Sequence, residues 1–289
     1  MSGLILFLVV ASAALHPLRE FYIKGDATPE GLTLAVNIWF WILAAVHVFA
    51  VGMDPWAAFE VWPMMTVSGL CLLFYYWCIV EAMRAGDLSI YYPITRSSPM
   101  FVVVFSFLVL GETYSAAMLV GIALVLIGAF MLQYAPGARL LSEPRPLILA
   151  FLAMCGHGAI SLADAAAMQK VGPAQFMFVM YIFVIPGMAF VLSINRPAGR
   201  GLYRHLFIGW RRTPVRFAVA GITAYVSYYM ILIAFQMGAN VAAVSAVRQV
   251  SIPFSVLLGC LIYKEARMTA RLAWSILLAL GVAVIVVAK

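Results

Sequence analysis

Apolar runs of about twenty residues recur along the chain, the length a helix needs to cross a bilayer core about 30 Å thick at 1.5 Å per residue. They lie at Leu4–Tyr22, Leu32–Val51, Trp62–Met83, Leu88–Leu110, Ala116–Tyr134, Leu147–Met168, Gln175–Ile194, Phe217–Met237, Val241–Ile262 and Leu272–Ala288. Backbone polar groups in hydrocarbon must be satisfied within the segment, so each run is expected to be a helix. Of the 289 residues 65% are hydrophobic and 10% charged, against roughly a quarter charged in a soluble globule, so an all-α, multi-pass membrane protein is expected. The net charge of +7 does not point to nucleic acid, because the Lys and Arg lie between apolar spans and not on one soluble face. Cys71, Cys78, Cys155 and Cys260 all fall inside spans, where apolar packing is expected, without disulfides or a metal. The first run lacks a basic n-region and a small-residue cleavage site, and reads as a permanent helix rather than a signal peptide.

Most connections are short; only 135–146 and 195–216 have length. The first is also a midpoint, and the chain repeats across it. Tyr75-Tyr76 matches Tyr228-Tyr229, Gly86 matches Gly238, and Arg96 matches Arg248; farther on Pro99 pairs with Pro253, Glu112 with Glu265 and Gly128 with Gly281. The expected units are therefore 1–134, a connecting loop 135–146, and 147–289. Five helices per half is an odd number, so the second half enters the membrane upside down, as in many secondary transporters. Loops after the odd spans hold Lys24, Arg84, Arg139, Arg145, Arg196, Arg200, Arg204, Arg211, Arg212, Arg216, Lys264, Arg267 and Arg271, whereas the other face has Lys170 and Lys289. This bias places the odd loops in the cytoplasm and both termini outside.

Two arginines lie deep within apolar runs. Arg96 follows about eight residues into its span, about 12 Å from the start, and Arg248 lies about as deep in its own, each with a proline downstream. An arginine at the centre of a membrane helix costs about 2.5 to 3.5 kcal/mol on insertion scales, so each needs a partner, water or a task. Measured from opposite faces, both guanidiniums reach a shared layer near the midplane, where they suit bidentate recognition of carboxylate, phosphate or phosphonate. The competing reading is snorkelling to headgroups or a structural ion pair.

Acids available to balance them are Glu20, Glu81 and Asp164. Asp164 stands seven residues after His157 on one helix face and is a candidate for a coupling proton, with neutralisation of an arginine as the alternative. His16 precedes Pro17, where a kink would open backbone groups to a cavity. Glu20 and Lys24, at i and i+4, also fit a simple interfacial pair. Tyr76, Tyr228 and Tyr229, with Tyr75 and Trp77, are cavity-wall candidates beside ordinary packing. Trp39, Trp41, Trp56 and Trp62 read as interface anchors. Glu112 and Glu265 read as turn residues, and Gly121 and Gly128 as sites of close helix packing.

Gly86-Asp87-Leu88-Ser89 leading to Tyr92-Pro93-x-x-Arg96-x-x-Pro99, the second-half Ala246-Val247-Arg248-Gln249-Val250-Ser251, and the Leu110-Gly111-Glu112 turn resemble the EamA branch of the drug/metabolite transporter superfamily. His16 with Lys24 is similar to its His-x-x-Trp-Asn-x-x-x-Lys pattern, with Arg19 and Glu20 where that pattern has Trp and Asn. The resemblance covers the whole chain. It implies ten helices in two EamA repeats, proton-coupled or exchange transport by alternating access, a bacterial inner membrane, and cytoplasmic termini, the last opposite to the charge bias.

These readings converge on a secondary transporter of a small anionic or zwitterionic metabolite such as an amino acid, organic acid or phosphonate. Arg96, Arg248, Tyr76, Tyr92, Ser97, Tyr228, Tyr229, Gln249 and His16 are the expected substrate-binding residues. Asp164, His157, Glu81 and Glu20 are the expected proton-coupling set. The expected partners are the substrate, the bilayer and protons, with no cofactor, no metal and no nucleic acid, in a monomer or homodimer. Alternatives are a flippase for a lipid-linked phosphate and an exporter of cationic or apolar compounds. An intramembrane enzyme is disfavoured, since no Gly-x-Ser-x-Gly or His-Glu-x-x-His occurs. A passive channel is disfavoured because two fixed charges trap an anion.

Overall fold

The structure is a computed structural model that describes residues 1–23, 29–85, 93–133, 144–193, 214–254 and 268–288. Lys24, Tyr92, Cys260, Glu265 and the Gly86 to Tyr91 stretch lie outside the described residues, as does the side chain of Glu20. The helices are α1 (Gly3–Ile23), α2 (Pro29–Ala50), α3 (Trp62–Ala85), α4 (Ser98–Val109), α5 (Ala116–Gln133), α6 (Pro144–Ala167), α7 (Pro173–Ser193), α8 (Pro214–Gln236), α9 (Val241–Val247) and α10 (Met268–Val287). A 3-10 segment, Pro55–Val61, leads into α3, and another, Arg248–Val250, follows α9. No strand occurs among the described residues. The chain is an all-α membrane protein: five stretches, Thr33–Ala50, Pro55–Ile79, Pro144–Ala167, Pro173–Val191 and Pro214–Gln236, are long and apolar enough to cross a bilayer, and shorter apolar helices accompany them. Its outer surface agrees, since Phe7, Leu70, Leu108, Phe190 and Val215 are all more than 60% exposed. A water-soluble surface does not tolerate apolar side chains in such continuous display.

The most extensive helix pairings are α3 with α6, α5 with α10, and α1 with α8, followed by α2 with both α8 and α7 and by α3 with α7. Helix α7 is deeply enclosed, with Phe176, Met177, Val179, Met180, Val184 and Met188 all at or below 1% exposure. Lipid tails are as apolar as leucine, so burial alone does not drive such pairing; close backbone approach and internal hydrogen bonds do. Ser12 of α1 and Ser227 of α8 supply one such lock. Their hydroxyls lie 2.9 Å apart, and each donates to the other's carbonyl, at 2.7 and 3.0 Å.

Glycine supplies the other. A Cβ on Gly281 would stand 2.7 Å from both the Gly121 carbonyl oxygen and the Val125 nitrogen, and one on Gly128 would stand 2.9 Å from Leu278 Cβ. Helices α5 and α10 therefore touch backbone to backbone, in the packing role expected of Gly121 and Gly128.

Local signals explain where helices stop. Gly238 takes φ +78, and the Ala239 N–H reaches the Ala234 carbonyl at 3.0 Å, which closes α8 in a Schellman arrangement. Asn240 then caps α9, its side chain accepting from the Ala243 N–H at 3.1 Å. After α4, Gly111 at φ +69 allows the turn in which the Tyr114 hydroxyl donates to Glu112 at 2.7 Å, and burial pushes that hydroxyl up to about 12.

Helix α1 runs through Pro17 as one helix. The Trp41 indole donates to the Phe178 carbonyl at 3.2 Å and ties α2 to α7, and Trp39 packs against Gly221, whereas Trp56 and Trp62 are exposed. The spans carrying Arg96 and Arg248 are not continuous α-helices, for a reason that shapes the site. Valine at Gly281 is expected to destabilise the protein by about 1–3 kcal/mol through overpacking against backbone, read as a lower thermal midpoint in detergent. Valine at Gly3, where nothing lies within 4 Å, leaves the midpoint unchanged.

Candidate functional site

Proline removes an N–H and crowds the carbonyl four residues back, so it disturbs the turn that precedes it. Pro99 crowds Thr95 and Pro253 crowds Gln249, and in both places the α-helix gives way. Residues 96–97 form a turn between a short helical stretch at 93–95 and α4, with the Ser97 N–H bonded to the Ile94 carbonyl and the Ser97 hydroxyl donating to the Pro93 carbonyl at 2.9 Å. Residues 248–250 tighten to a 3-10 turn, and the Ser251 N–H reaches back to the Arg248 and Gln249 carbonyls. Each arginine thus sits at a helix break, the arrangement by which membrane carriers expose backbone and charge to a cavity.

The two breaks meet. Arg96 Nη2 donates to Ser251 Oγ at 3.3 Å, joining the turn before α4 to the turn after α9 across 155 residues of sequence. Arg248 lies within electrostatic reach of Arg96, Asp164, Tyr75 and Tyr228. Both arginines are half-buried. Ser97, by contrast, spends its hydroxyl on the break itself. Gln249 is 4% exposed; its amide donates to the Ser245 carbonyl at 3.3 Å, while its Oε1 has no hydrogen-bond partner among the described residues.

Asp164, 1% exposed near the end of α6, is held from two other helices. Ser68 of α3 donates to Oδ1 at 2.6 Å, and the Tyr228 hydroxyl of α8 donates to Oδ2. Both carboxylate oxygens are satisfied, as a buried charge requires. Two turns earlier, His157 Nδ1 meets Ser98 Oγ at 2.9 Å, and its ring lies 5.5 Å from that of Tyr75. Gly158 makes this contact possible, since a Cβ there would fall 2.3 Å from Phe101 Cδ1 and push α4 off α6. Asp164 and His157 share a face of α6, as their spacing implies, yet each has its own hydrogen-bond partners.

The remaining candidates are spread farther. Tyr76 packs edge-on to Tyr75 with centroids 5.6 Å apart. Tyr229 stacks on Tyr225 and lies 5.1 Å from the His47 ring, with His47 Nδ1 2.7 Å from the Tyr225 hydroxyl, so it faces α2. Glu81 accepts from Arg145 at 3.3 Å, near the end of α3 and the start of α6. His16 is half-buried on α1, the helix that packs against the Arg248 turn. Ser68, Ser98 and Ser251 touch these groups and were not among the expected site residues; a serine within an apolar helix commonly bonds its own backbone, and no spacing marks it out.

A cleft of about 470 Å³ opens elsewhere, between α3 and α7, bounded by Trp62, Leu70, Leu73, Met180 and Phe183. The exposure of Trp62, Leu70 and Phe183 places it on the outside of the bundle, and Thr66 is the polar side chain in its lining. Its walls hold no charged group, and Ser68 points from α3 to α6 instead.

The family model of the EamA-like transporter family matches residues 3–134. No curated protein matches the chain in sequence. A solved structure, described only as a crystal structure of protein, superposes with a TM-score of 0.78 over 98% of this chain and 96% of its own, at 16% identity, a likeness of fold. This multi-pass bundle of apolar helices is therefore similar, over residues 3–134, to the EamA-like transporter family of the drug/metabolite transporter superfamily.

Proposed function

We propose that this chain is a secondary active transporter of a small anionic or zwitterionic metabolite, with Arg96 and Arg248 receiving the acidic group. The observation that carries the reading is the Arg96 to Ser251 contact, which brings two broken helices and two guanidiniums together inside an apolar bundle. Guanidinium is a fixed charge with donors in a fork, suited to a carboxylate, phosphate or phosphonate. The Gln249 acceptor suits an amino or hydroxyl group beside the acid. Tyr76, Tyr228, Tyr229, Ser97 and His16 are nearby or second-rank contacts in this scheme, and Tyr92 adjoins the same turn in sequence. Asp164, two turns after His157 on α6, is the proposed carrier of a coupling proton.

The proposed architecture is ten spans in two inverted five-helix repeats, 1–134 and 147–289. The helix pairing supports it: exchanging the halves turns α1 with α8 into α6 with α3, and α2 with α8 into α7 with α3, while α5 with α10 and α2 with α7 map onto themselves. Such symmetry lets one half rock against the other about a site at their interface, with the Lys and Arg bias setting odd loops toward the cytoplasm. We place the protein in a bacterial inner membrane. A flippase for a lipid-linked phosphate is disfavoured by the α3–α7 cleft, which opens outward but offers no cation to a phosphate.

Thermal stabilisation of the purified protein by carboxylates, phosphates, phosphonates and amino acids tests the site. An anion at 100-fold its Kd is expected to stabilise the native state by about 2.7 kcal/mol. Arg96→Gln and Arg248→Gln are expected to stay folded and to lose that response. If both variants respond like wild type, or cations alone stabilise, the arginines are structural and the reading fails.

A further inference from the structure

The cleft between α3 and α7 lies on the outer surface of two of the long apolar stretches, Pro55–Ile79 and Pro173–Val191, and neither Arg96 nor Arg248 lines it. Its floor is formed by Met65, Met180 and Val184, all 5% exposed or less, and by Gly69. A Cβ on Gly69 would meet only side chains, Val184 Cγ2 at 3.5 Å and Met180 Cγ at 3.7 Å, so the cleft exists where a side chain is missing. At one end the helices close, since a Cβ on Gly187 would stand 2.5 Å from Leu73 Cδ1. At the other, Phe59 and Trp62 form a mouth. That mouth is braced. The Asp54 side chain accepts from the Trp56 N–H at 3.0 Å, and its carbonyl accepts from the Gln175 amide at 2.6 Å, which ties the 3-10 segment to the start of α7. Trp56 stacks on Phe59 with centroids 5.9 Å apart.

We propose that this cleft holds one acyl chain of a membrane phospholipid, drawn from the leaflet that meets the connection between α2 and α3. The walls carry no charge, and the exposed Trp56 and Trp62 set the mouth at headgroup level. From Trp62 to Leu73, α3 rises about 16 Å at 1.5 Å per residue, close to the half-thickness of a hydrocarbon core about 30 Å deep. Spread over that length, a volume of about 470 Å³ is a channel about 30 Å² in cross-section. A helix about 10 Å across needs about 80 Å², so a helix of a second copy does not fit, and the bulky rim of Trp62, Leu70 and Phe183 holds one off. A void forfeits contacts on its lining, and a flexible chain restores them. Bulk lipid is equally apolar, so selectivity comes from this fit and not from transfer out of water. Ser68, one residue from Gly69, faces α6 from the same turn of α3, so the bound chain backs the helix that holds Asp164.

Native mass spectrometry of the full chain, stripped of lipid in detergent and titrated with dioleoyl phosphatidylethanolamine, counts the lipids bound. One lipid is expected to bind roughly tenfold more tightly than those that follow. Gly69→Leu, whose side chain fills the cleft, is expected to keep or raise the wild-type thermal midpoint and to lose the tight lipid. Leu108→Ser, on the exposed face of α4, keeps it. The dihexanoyl lipid, with the same headgroup but chains too short to fill the cleft, does not displace it. If Gly69→Leu does not fold, Leu70→Ser and Phe183→Ser at the rim take its place, and each is expected to weaken the first lipid selectively. Wild type without a tight lipid overturns the proposal, as does a tight lipid bound equally in the cleft variants or displaced equally by the dihexanoyl lipid. A wild-type dimer that Gly69→Leu dissociates also overturns it, and assigns the cleft to a second copy.

Discussion

Two guanidiniums held close together in an apolar bundle repel each other and resist leaving water, and the rest of the site is arranged around that cost. Like charges repel more strongly in an apolar interior than in water, so each guanidinium there gains from a nearby acid or acceptor. Asp164 offsets part of this from α6, and Ser251 accepts from Arg96. The helix breaks matter as much as the charges. A continuous helix would bury each arginine along one face, whereas a break lets the guanidinium leave the helix axis and brings polar backbone to the same place.

What keeps these breaks in position is a frame that is itself rigid. Glycines let α5 and α10 touch through backbone, and paired serines lock α1 to α8. Helix α6 is the member that joins frame to site: it carries His157, Gly158 and Asp164, and through them meets α4, α3 and α8. A shift of α6 therefore reaches helices from both halves of the chain at once.

Much of the frame was legible in sequence because its signals are local. Gly238-Ala239-Asn240 announces a helix stop and a helix start in three residues, and the structure shows a Schellman closure followed by a capped α9. Arg96 and Arg248 stood out because a charge deep within an apolar run needs a partner, water or a task. The hydrogen-bond partners were not legible. Ser68 and Ser98 look like any serine in an apolar helix, and only the packing of α3 and α4 on α6 makes them the partners of Asp164 and His157. The breaks were half legible: each proline was visible, but a proline also sits in α1 and leaves that helix unbroken, since tertiary packing decides whether the freed carbonyl is exposed. Glu81 and Arg145 are far apart in sequence, and only the α3–α6 pairing brings them together.

The most direct test of two arginines serving one anion is counterflow in proteoliposomes. Vesicles loaded with an unlabelled anion that stabilises the protein receive a trace of the same anion, labelled, from outside. Transient accumulation of the label, chemically unchanged, in wild type and its loss in both Arg96→Gln and Arg248→Gln is the predicted result. Label that accumulates equally with and without Arg248, or that is recovered as a different compound, would contradict the account.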